Sequence, residues 1–89
     1  MKSHAIKSYL DSYAKLPTTI QEQAREAFKR FQADPNHPSL QFKRLSRSKK
    51  REKTYSVRVN DQYRALAREE HGELYWYWIG SHSEYDKLI

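Results

Sequence analysis

The sequence predicts an α+β fold in which an N-terminal helical hairpin packs on a four-stranded, mainly antiparallel sheet and a short helical tail ends the chain. Apolar residues recur at helical spacing in the first third of the chain, whereas beyond Pro38 they alternate with polar residues at strand spacing. At 89 residues the chain suits one domain, residues 1–89, with one hydrophobic core. Helices followed by strands favour separate layers within that domain.

The helical hairpin is predicted from two amphipathic segments. Apolar side chains between residues 6 and 16 lie at helical spacing, and Pro17 closes this run. A second stripe over residues 20–31 begins after Pro17 and ends near Ala33, because residues 34–38 read DPNHP, a turn with two prolines.

Four strands are predicted after this turn. Leu40, Phe42 and Leu45 predict a short first strand, and residues 55–59 (YSVRV) and 63–68 (YRALAR) predict two more, joined at Asn60-Asp61. Residues 74–79, LYWYWI, are apolar throughout, which favours a strand covered on both faces and central in the sheet. Strict alternation places Trp76 and Trp78 on one face of it, as core residues or as a base-stacking surface. The opposite sheet face, away from the hairpin, is expected to be free for a partner.

Charge and composition narrow the function classes. With 17 Lys and Arg against 11 Asp and Glu, the net charge of +6 favours a polyanionic partner such as RNA, DNA, an anionic membrane or an acidic protein. The absence of cysteine excludes disulfides, a cysteine nucleophile and thiolate metal sites. The four histidines show no metal-ligand spacing, so we predict neither metal nor cofactor. We expect a cytoplasmic protein, since we find no transmembrane run or signal peptide.

Three short motifs follow the hairpin and a basic loop in a fixed order: YSVRV at residues 55–59, Tyr63-Arg64, and GSHSEY at residues 80–85. In these motifs and their order the chain resembles the RelE/ParE superfamily of type II toxin-antitoxin toxins, in its RelE-like branch, over nearly its whole length. The resemblance implies an antitoxin partner and metal-free cleavage of messenger RNA in the ribosomal A site, whereas ParE-like members poison DNA gyrase. Family members usually begin with a strand, for which only residues 2–5 are available here, so we expect that strand to be reduced or missing.

Metal-free RNA cleavage needs a base, a stabiliser of phosphate charge and an acid. His82 follows the apolar strand, and imidazole, with an ordinary pKa of about 6.5, suits proton transfer; the resemblance implies that it is the base. Arg64 is predicted as a phosphate clamp that Arg58 shares, and Tyr85 as an acid or a stacking group. The alternatives are a turn histidine bonded to backbone, ion-paired strand arginines and a tyrosine packed on the sheet.

A basic cluster is the predicted RNA-backbone contact, because eight of the 17 basic residues lie between residues 43 and 58. Such a run is otherwise simply solvated surface. Lys43 and Arg44 are expected to point to opposite faces, so only one can face the site. The candidate RNA-binding residues are Lys43, Arg44, Arg47, Lys49, Lys50, Arg51 and Lys53.

From these residues we predict a toxin that acts as a ribosome-dependent mRNA endoribonuclease and inhibits translation. A ParE-like gyrase inhibitor and a non-catalytic RelE-like binding protein are the alternatives. The expected partners are an antitoxin, the ribosome and mRNA, with no membrane, and the protein is a monomer or part of a heteromeric toxin-antitoxin complex. The antitoxin is expected to be partly acidic, with an amphipathic helix or strand laid across the exposed sheet face.

Overall fold

The computed structural model describes residues 2–45 and 53–88 and has the predicted α+β architecture. Within these residues the strands of the sheet lie in the order Ser3–Ala5, Glu73–Ser81, Tyr63–Glu70, Lys53–Arg58 and Lys43–Arg44, and only the first two of them pair in parallel. Among the described residues, no helix is long and apolar enough to cross a membrane. In chain order the elements are β1 (Ser3–Ala5), α1 (Lys7–Ala14), α2 (Thr18–Ala33), a 3-10 turn (Pro38–Leu40), β2 (Lys43–Arg44), β3 (Lys53–Arg58), β4 (Tyr63–Glu70), β5 (Glu73–Ser81) and α3 (His82–Leu88).

In the described part of the chain the sheet has five strands rather than four, because the family's first strand is present in reduced form, as Ser3–Ala5, within the residues 2–5 that were available for it. Ser3–Ala5 pairs with β5 in parallel, and two further backbone hydrogen bonds, Leu74 N to Lys2 O (2.9 Å) and Ile6 N to Trp76 O (3.0 Å), extend the pairing. The strand forms because it satisfies the backbone groups along the outer side of β5. A segment of three residues is too short to show a period, and the sequence pattern therefore missed it.

The first predicted strand is also shorter and later than expected. Leu40 belongs to the 3-10 turn, where its side chain is buried, and the pairing of β2 covers only Lys43 and Arg44. The reason is local: Gln41 has a left-handed backbone with φ of 45°, which interrupts an extended chain between Leu40 and Phe42. The apolar residues at positions 40 and 42 thus reach the core from a turn and from an unpaired segment.

The helical hairpin packs on one face of the sheet, as predicted. Buried Ala24, Ala27 and Phe31 of α2 form one core cluster with the sheet side chains. The Phe31 ring meets the Trp76 ring edge to face at 5.4 Å between centroids. On the sheet this cluster comprises Val57, Ala65, Ala67, Leu74, Trp76 and Ile79.

A β-bulge changes which aromatic residues share a face. Leu66 pairs with Trp78, but the next residue, Ala67, pairs with Trp76, so the register shifts by one residue at Tyr77. Leu66 and Ala67 point to opposite faces, and the two tryptophans therefore do so as well. The prediction that Trp76 and Trp78 share a face was wrong, because strict alternation does not hold across a bulge. Trp76 is a core residue and Trp78 lies on the face away from the hairpin.

Candidate active site

Two arginines lie directly across from each other on the sheet face opposite the hairpin. Arg58 of β3 pairs in register with Arg64 of β4, which pairs with Gly80 of β5. Like charges in this position repel each other, so the arrangement favours an anion between or above them. Gly80 has no room for a side chain, since a Cβ there would collide with the indole ring of Trp78.

The turn between β3 and β4 positions both arginines. The side-chain oxygen of Asn60 accepts hydrogen bonds from the backbone N–H groups of Gln62 (2.8 Å) and Tyr63 (2.9 Å), which fixes the turn. Arg64 Nη1 then donates to the carbonyl oxygens of Asn60 (2.5 Å) and Tyr63 (3.0 Å). The guanidinium has further N–H groups that these two carbonyls do not use.

His82 is placed by the start of α3. Ser81 and Glu84 form a capping box, in which Ser81 Oγ accepts from Glu84 N (3.3 Å) and Glu84 Oε1 accepts from Ser81 N (3.4 Å). The box begins the helix at His82, two residues earlier than a helical tail that starts at Glu84 after a break at residues 80–83 (GSHS). The backbone N–H of His82 donates to the carbonyl of Gln62 at 2.6 Å, which joins α3 to the β3–β4 turn.

Asp86 lies one helical turn after His82 and faces its ring. His82 Nδ1 and Asp86 Oδ2 are 3.1 Å apart, and the His82 side chain is 47% exposed. A carboxylate at Nδ1 favours the tautomer whose Nε2 carries a free lone pair, which is the form that can take a proton. The Tyr85 ring lies 5.7 Å from the His82 ring, but Tyr85 is only 6% exposed.

Arg64 and His82 line one cleft of about 490 Å³. Burial and the neighbouring Arg58 lower the pKa of Arg64, while Tyr85 and Asp86 act in the opposite direction. An arginine stays charged under these influences, and the neighbouring Arg58 adds positive charge that a bound anion would offset. The cleft is lined by Asp61, Gln62, Arg64, Ser81, His82 and Ser83.

Of the predicted catalytic residues, the structure therefore brings His82 and Arg64 into one cleft and places Arg58 beside Arg64. Tyr85 is the buried residue of α3, which leaves little of its ring for a substrate. The sequence reasoning missed Asp61 and Asp86. The spacing of His82 and Asp86, i and i+4 on a predicted helical tail, is the signal that identifies the second of these.

The predicted RNA-binding residues divide between the faces. Lys43 pairs with Ser56 and lies on the face of Arg58, whereas Arg44 pairs with Tyr55 on the hairpin side. Lys53 also lies on the hairpin side, and its Nζ is 3.4 Å from Glu69 Oε2. Four further candidates lie outside the described residues: Arg47, Lys49, Lys50 and Arg51.

Residues 2–45 and 53–88 contain no group of three or more histidine and carboxylate side chains arranged to hold a metal ion. The groups that the cleft offers are imidazole, guanidinium, hydroxyl and carboxylate, which suit proton transfer and anion binding.

Comparison with known proteins identifies the family. The family described as the ParE-like toxin domain matches residues 18–87. The chain belongs to this family. The resemblance to the RelE/ParE superfamily is thereby confirmed, and the protein is a toxin of the kind found in toxin-antitoxin systems. Among curated proteins, no sequence match to the chain was found.

Solved structures confirm the fold of this ParE-like toxin domain. The RelB–RelE complex of Methanococcus jannaschii matches with a TM-score of 0.68 at 14% identity, covering 96% of this chain and 98% of that one. The RelE–RelB complex of Pyrococcus horikoshii matches with a TM-score of 0.66 at 13% identity, covering 90% and 92%. The RelBE2 complex of Mycobacterium tuberculosis matches with a TM-score of 0.68 at 23% identity, covering 91% and 96%.

Proposed function

We propose that this ParE-like toxin domain is a metal-free endoribonuclease that cleaves messenger RNA on the ribosome and so stops translation. The proposal rests on one observation: Arg64 and the half-exposed His82 line the same cleft, and Arg58 lies directly across from Arg64 on the neighbouring strand. A protein that worked through contacts alone has no need of an imidazole oriented by a carboxylate at such a place.

Each group in the cleft has a defined role in the proposed reaction. His82 Nε2 takes the proton of the 2′-hydroxyl, which attacks the adjacent phosphorus and expels the 5′-oxygen of the next nucleotide. Arg64 and Arg58 stabilise the negative charge that develops on the phosphate oxygens. Asp86 is a positioning residue, because it acts on the substrate only through His82.

Tyr85 has a supporting role in this scheme. Its ring packs beside His82 and is buried, so it fixes the imidazole and the first turn of α3. The proton for the 5′-oxygen leaving group then comes from the protonated His82 or from water. Lys43, exposed on the same sheet face as Arg58, binds the RNA backbone beside the cleft.

Induced expression in a bacterial host tests the proposal. Wild type is expected to arrest protein synthesis and to produce new 5′ ends inside translated messages. His82→Asn and Arg64→Gln, alone or together, should lower cleavage by at least about a hundredfold, since a general base alone contributes about 10²–10⁴-fold. Growth, amino-acid incorporation and transcript 5′ ends are followed together.

His71→Asn is the matched control. His71 is exposed in the β4–β5 turn and has φ of 53°, a backbone conformation that asparagine tolerates well. It should remain as toxic as the wild type. If transcripts stay intact, DNA damage appears and His82→Asn is as toxic as the wild type, the protein is a gyrase inhibitor and the ribonuclease proposal is wrong. If expression of the wild type does not slow growth of the host, the protein is a non-catalytic binding protein.

We further propose that a cognate antitoxin docks in the groove between α1 and α2. Similar structures contain RelE together with RelB antitoxin. The groove, about 440 Å³, lies beside Leu10, which is 53% exposed, and is apolar apart from Arg25, Lys29 and Gln32. An acidic amphipathic helix fits this combination of apolar floor and basic rim. This places the antitoxin on the helical side of the molecule rather than across the sheet face.

A further inference from the structure

Asp61 lies at the tip of the β3–β4 turn and forms an ion pair with Arg58. We propose that the Asp61 carboxylate occupies the place of a substrate phosphate on Arg58, so that RNA binds by exchanging its phosphate for this carboxylate. The inference rests on the proposed ribonuclease function. It states that the protein's own Asp61 carboxylate competes with the RNA phosphate for Arg58.

The positions of the charges support this role. Arg58 and Arg64 are directly opposed on neighbouring strands, and Asp61 belongs to the turn that joins those strands. Arg64 directs its Nη1 to backbone carbonyls, whereas Arg58 is paired with a carboxylate that also lines the cleft of His82. A carboxylate and a phosphate present the same kind of paired oxygens to a guanidinium.

The Asp61 side chain can move away from Arg58 without changing the conformation of the β3–β4 turn. The turn is held by the Asn60 side chain and its two backbone donors, and Asn60 Nδ2 is tied to Gln23 Oε1 of α2 at 2.5 Å. The Asp61 side chain is itself 87% exposed. An exposed ion pair contributes little to stability, so a phosphate that contacts two arginines displaces it readily.

The expected consequence is a variant that binds RNA better than the wild type. Asp61→Asn should bind a short 2′-O-methyl oligonucleotide, which cannot be cleaved, about two- to fivefold more tightly, the range expected for removal of an exposed ion pair. Fluorescence anisotropy on the full-length protein measures this. In an Arg58→Gln background the gain should vanish, since Asp61 then has no site to block.

Glu84→Gln is the control that distinguishes competition by the Asp61 carboxylate at Arg58 from the general effect of removing one negative charge. It removes one negative charge near the same cleft, and the glutamine keeps the capping box with Ser81. Its gain in affinity should be clearly smaller than that of Asp61→Asn. Equal gains in the two variants, an Asp61→Asn affinity at or below that of the wild type, or a gain that persists without Arg58 would each overturn the proposal.

A second measurement is independent of RNA cleavage. The Nε–H NMR signal of Arg58 should move in Asp61→Asn, which removes the carboxylate, and should also move in the wild type when inorganic phosphate takes the place of the carboxylate. A signal insensitive to both changes overturns the inference even if the protein cuts RNA. If the signal responds but no RNA is cleaved, the ribonuclease function fails and the anion exchange stands.

Discussion

Asp86 and His82 show how one contact between two residues shapes the chemistry of the cleft. The carboxylate oxygen lies 3.1 Å from Nδ1, and both side chains are about half exposed. In solvent such a pair contributes little to folding stability. Its value is orientational, because a carboxylate at Nδ1 favours one tautomer of the imidazole and leaves Nε2 as the nitrogen that can accept a proton.

Asp86→Asn should therefore reduce the rate of RNA cleavage about tenfold or more, while leaving KM and the unfolding midpoint close to wild type. Asparagine keeps the size of the side chain but no longer favours the required tautomer. Asp86→Glu is expected to recover part of the rate. Single-turnover cleavage on programmed ribosomes, with thermal unfolding measured in parallel, checks both variants. A parallel loss of kcat and stability in Asp86→Asn would assign Asp86 a purely structural role.

At this residue scale the sequence singled out His82 and Arg64, since each stands in a short motif whose chemistry is recognisable, and the structure brings the two into one cleft. The sequence did not predict Asp61 or Asp86. Both act through a partner side chain, and such a role depends on where α3 begins and how the β3–β4 turn is bent. Those details come from the capping box and from the Asn60 turn, which strand and helix periodicity do not encode.

Among the three helices, α1 contributes least to the core. None of its residues is buried, although Tyr9 and Tyr13 pack partly against the core cluster. Burial raises the pKa of Tyr9 to about 12, with a further contribution from Tyr13, so the Tyr9 ring remains neutral and apolar beneath the groove. Leu10 projects on the outer side of the same groove.

Leu10→Asp should weaken antitoxin binding about tenfold or more, because it puts a charge into an apolar docking groove and repels an acidic partner. Leu10 is 53% exposed, so stability should change by only about 0.5 kcal/mol. Leu88→Asp is the matched control, since Leu88 is 57% exposed on α3, away from the groove. Calorimetric titration with the cognate antitoxin measures both. If Leu88→Asp alone weakened binding, the antitoxin would dock on α3.

The elements themselves were predicted from the sequence to different degrees. The bounds of α2 and the meander of β3, β4 and β5 follow from periodic apolar patterns, and the structure confirms them. β1, β2 and the bulge at Tyr77 do not follow. The first two are shorter than one repeat of any pattern, and a bulge is a change of period inside a run that is apolar at every position.

For the whole molecule, the net charge of +6 is the property that most affects RNA binding. The sheet face of Arg58 and Arg64 and the hairpin layer lie on opposite sides of the protein. The two proposed partners, RNA and antitoxin, thus have separate surfaces, and electrostatic attraction contributes to both.

Binding of a short single-stranded RNA should weaken steeply with salt, with a log–log slope that Lys43→Gln reduces by roughly 0.7 to 1, the contribution of one phosphate contact. Lys15→Gln is the control, because it removes the same charge from the end of α1, in the other layer. Anisotropy titrations at several salt concentrations measure the slopes. Equal slopes for the two variants would remove Lys43 from the RNA surface.

The short outer strands have a consequence for self-association. β5 contains LYWYWI, a run whose composition is typical of segments that form amyloid-like sheets. β4 pairs with it on one side and β1 pairs with Leu74–Trp76 on the other, and the sheet ends in strands of three and two residues, the latter a lysine and an arginine. Such brief edge strands, one of them charged, give a second molecule little backbone to pair with. The order of the strands therefore keeps the segment most prone to fibril formation away from neighbouring copies.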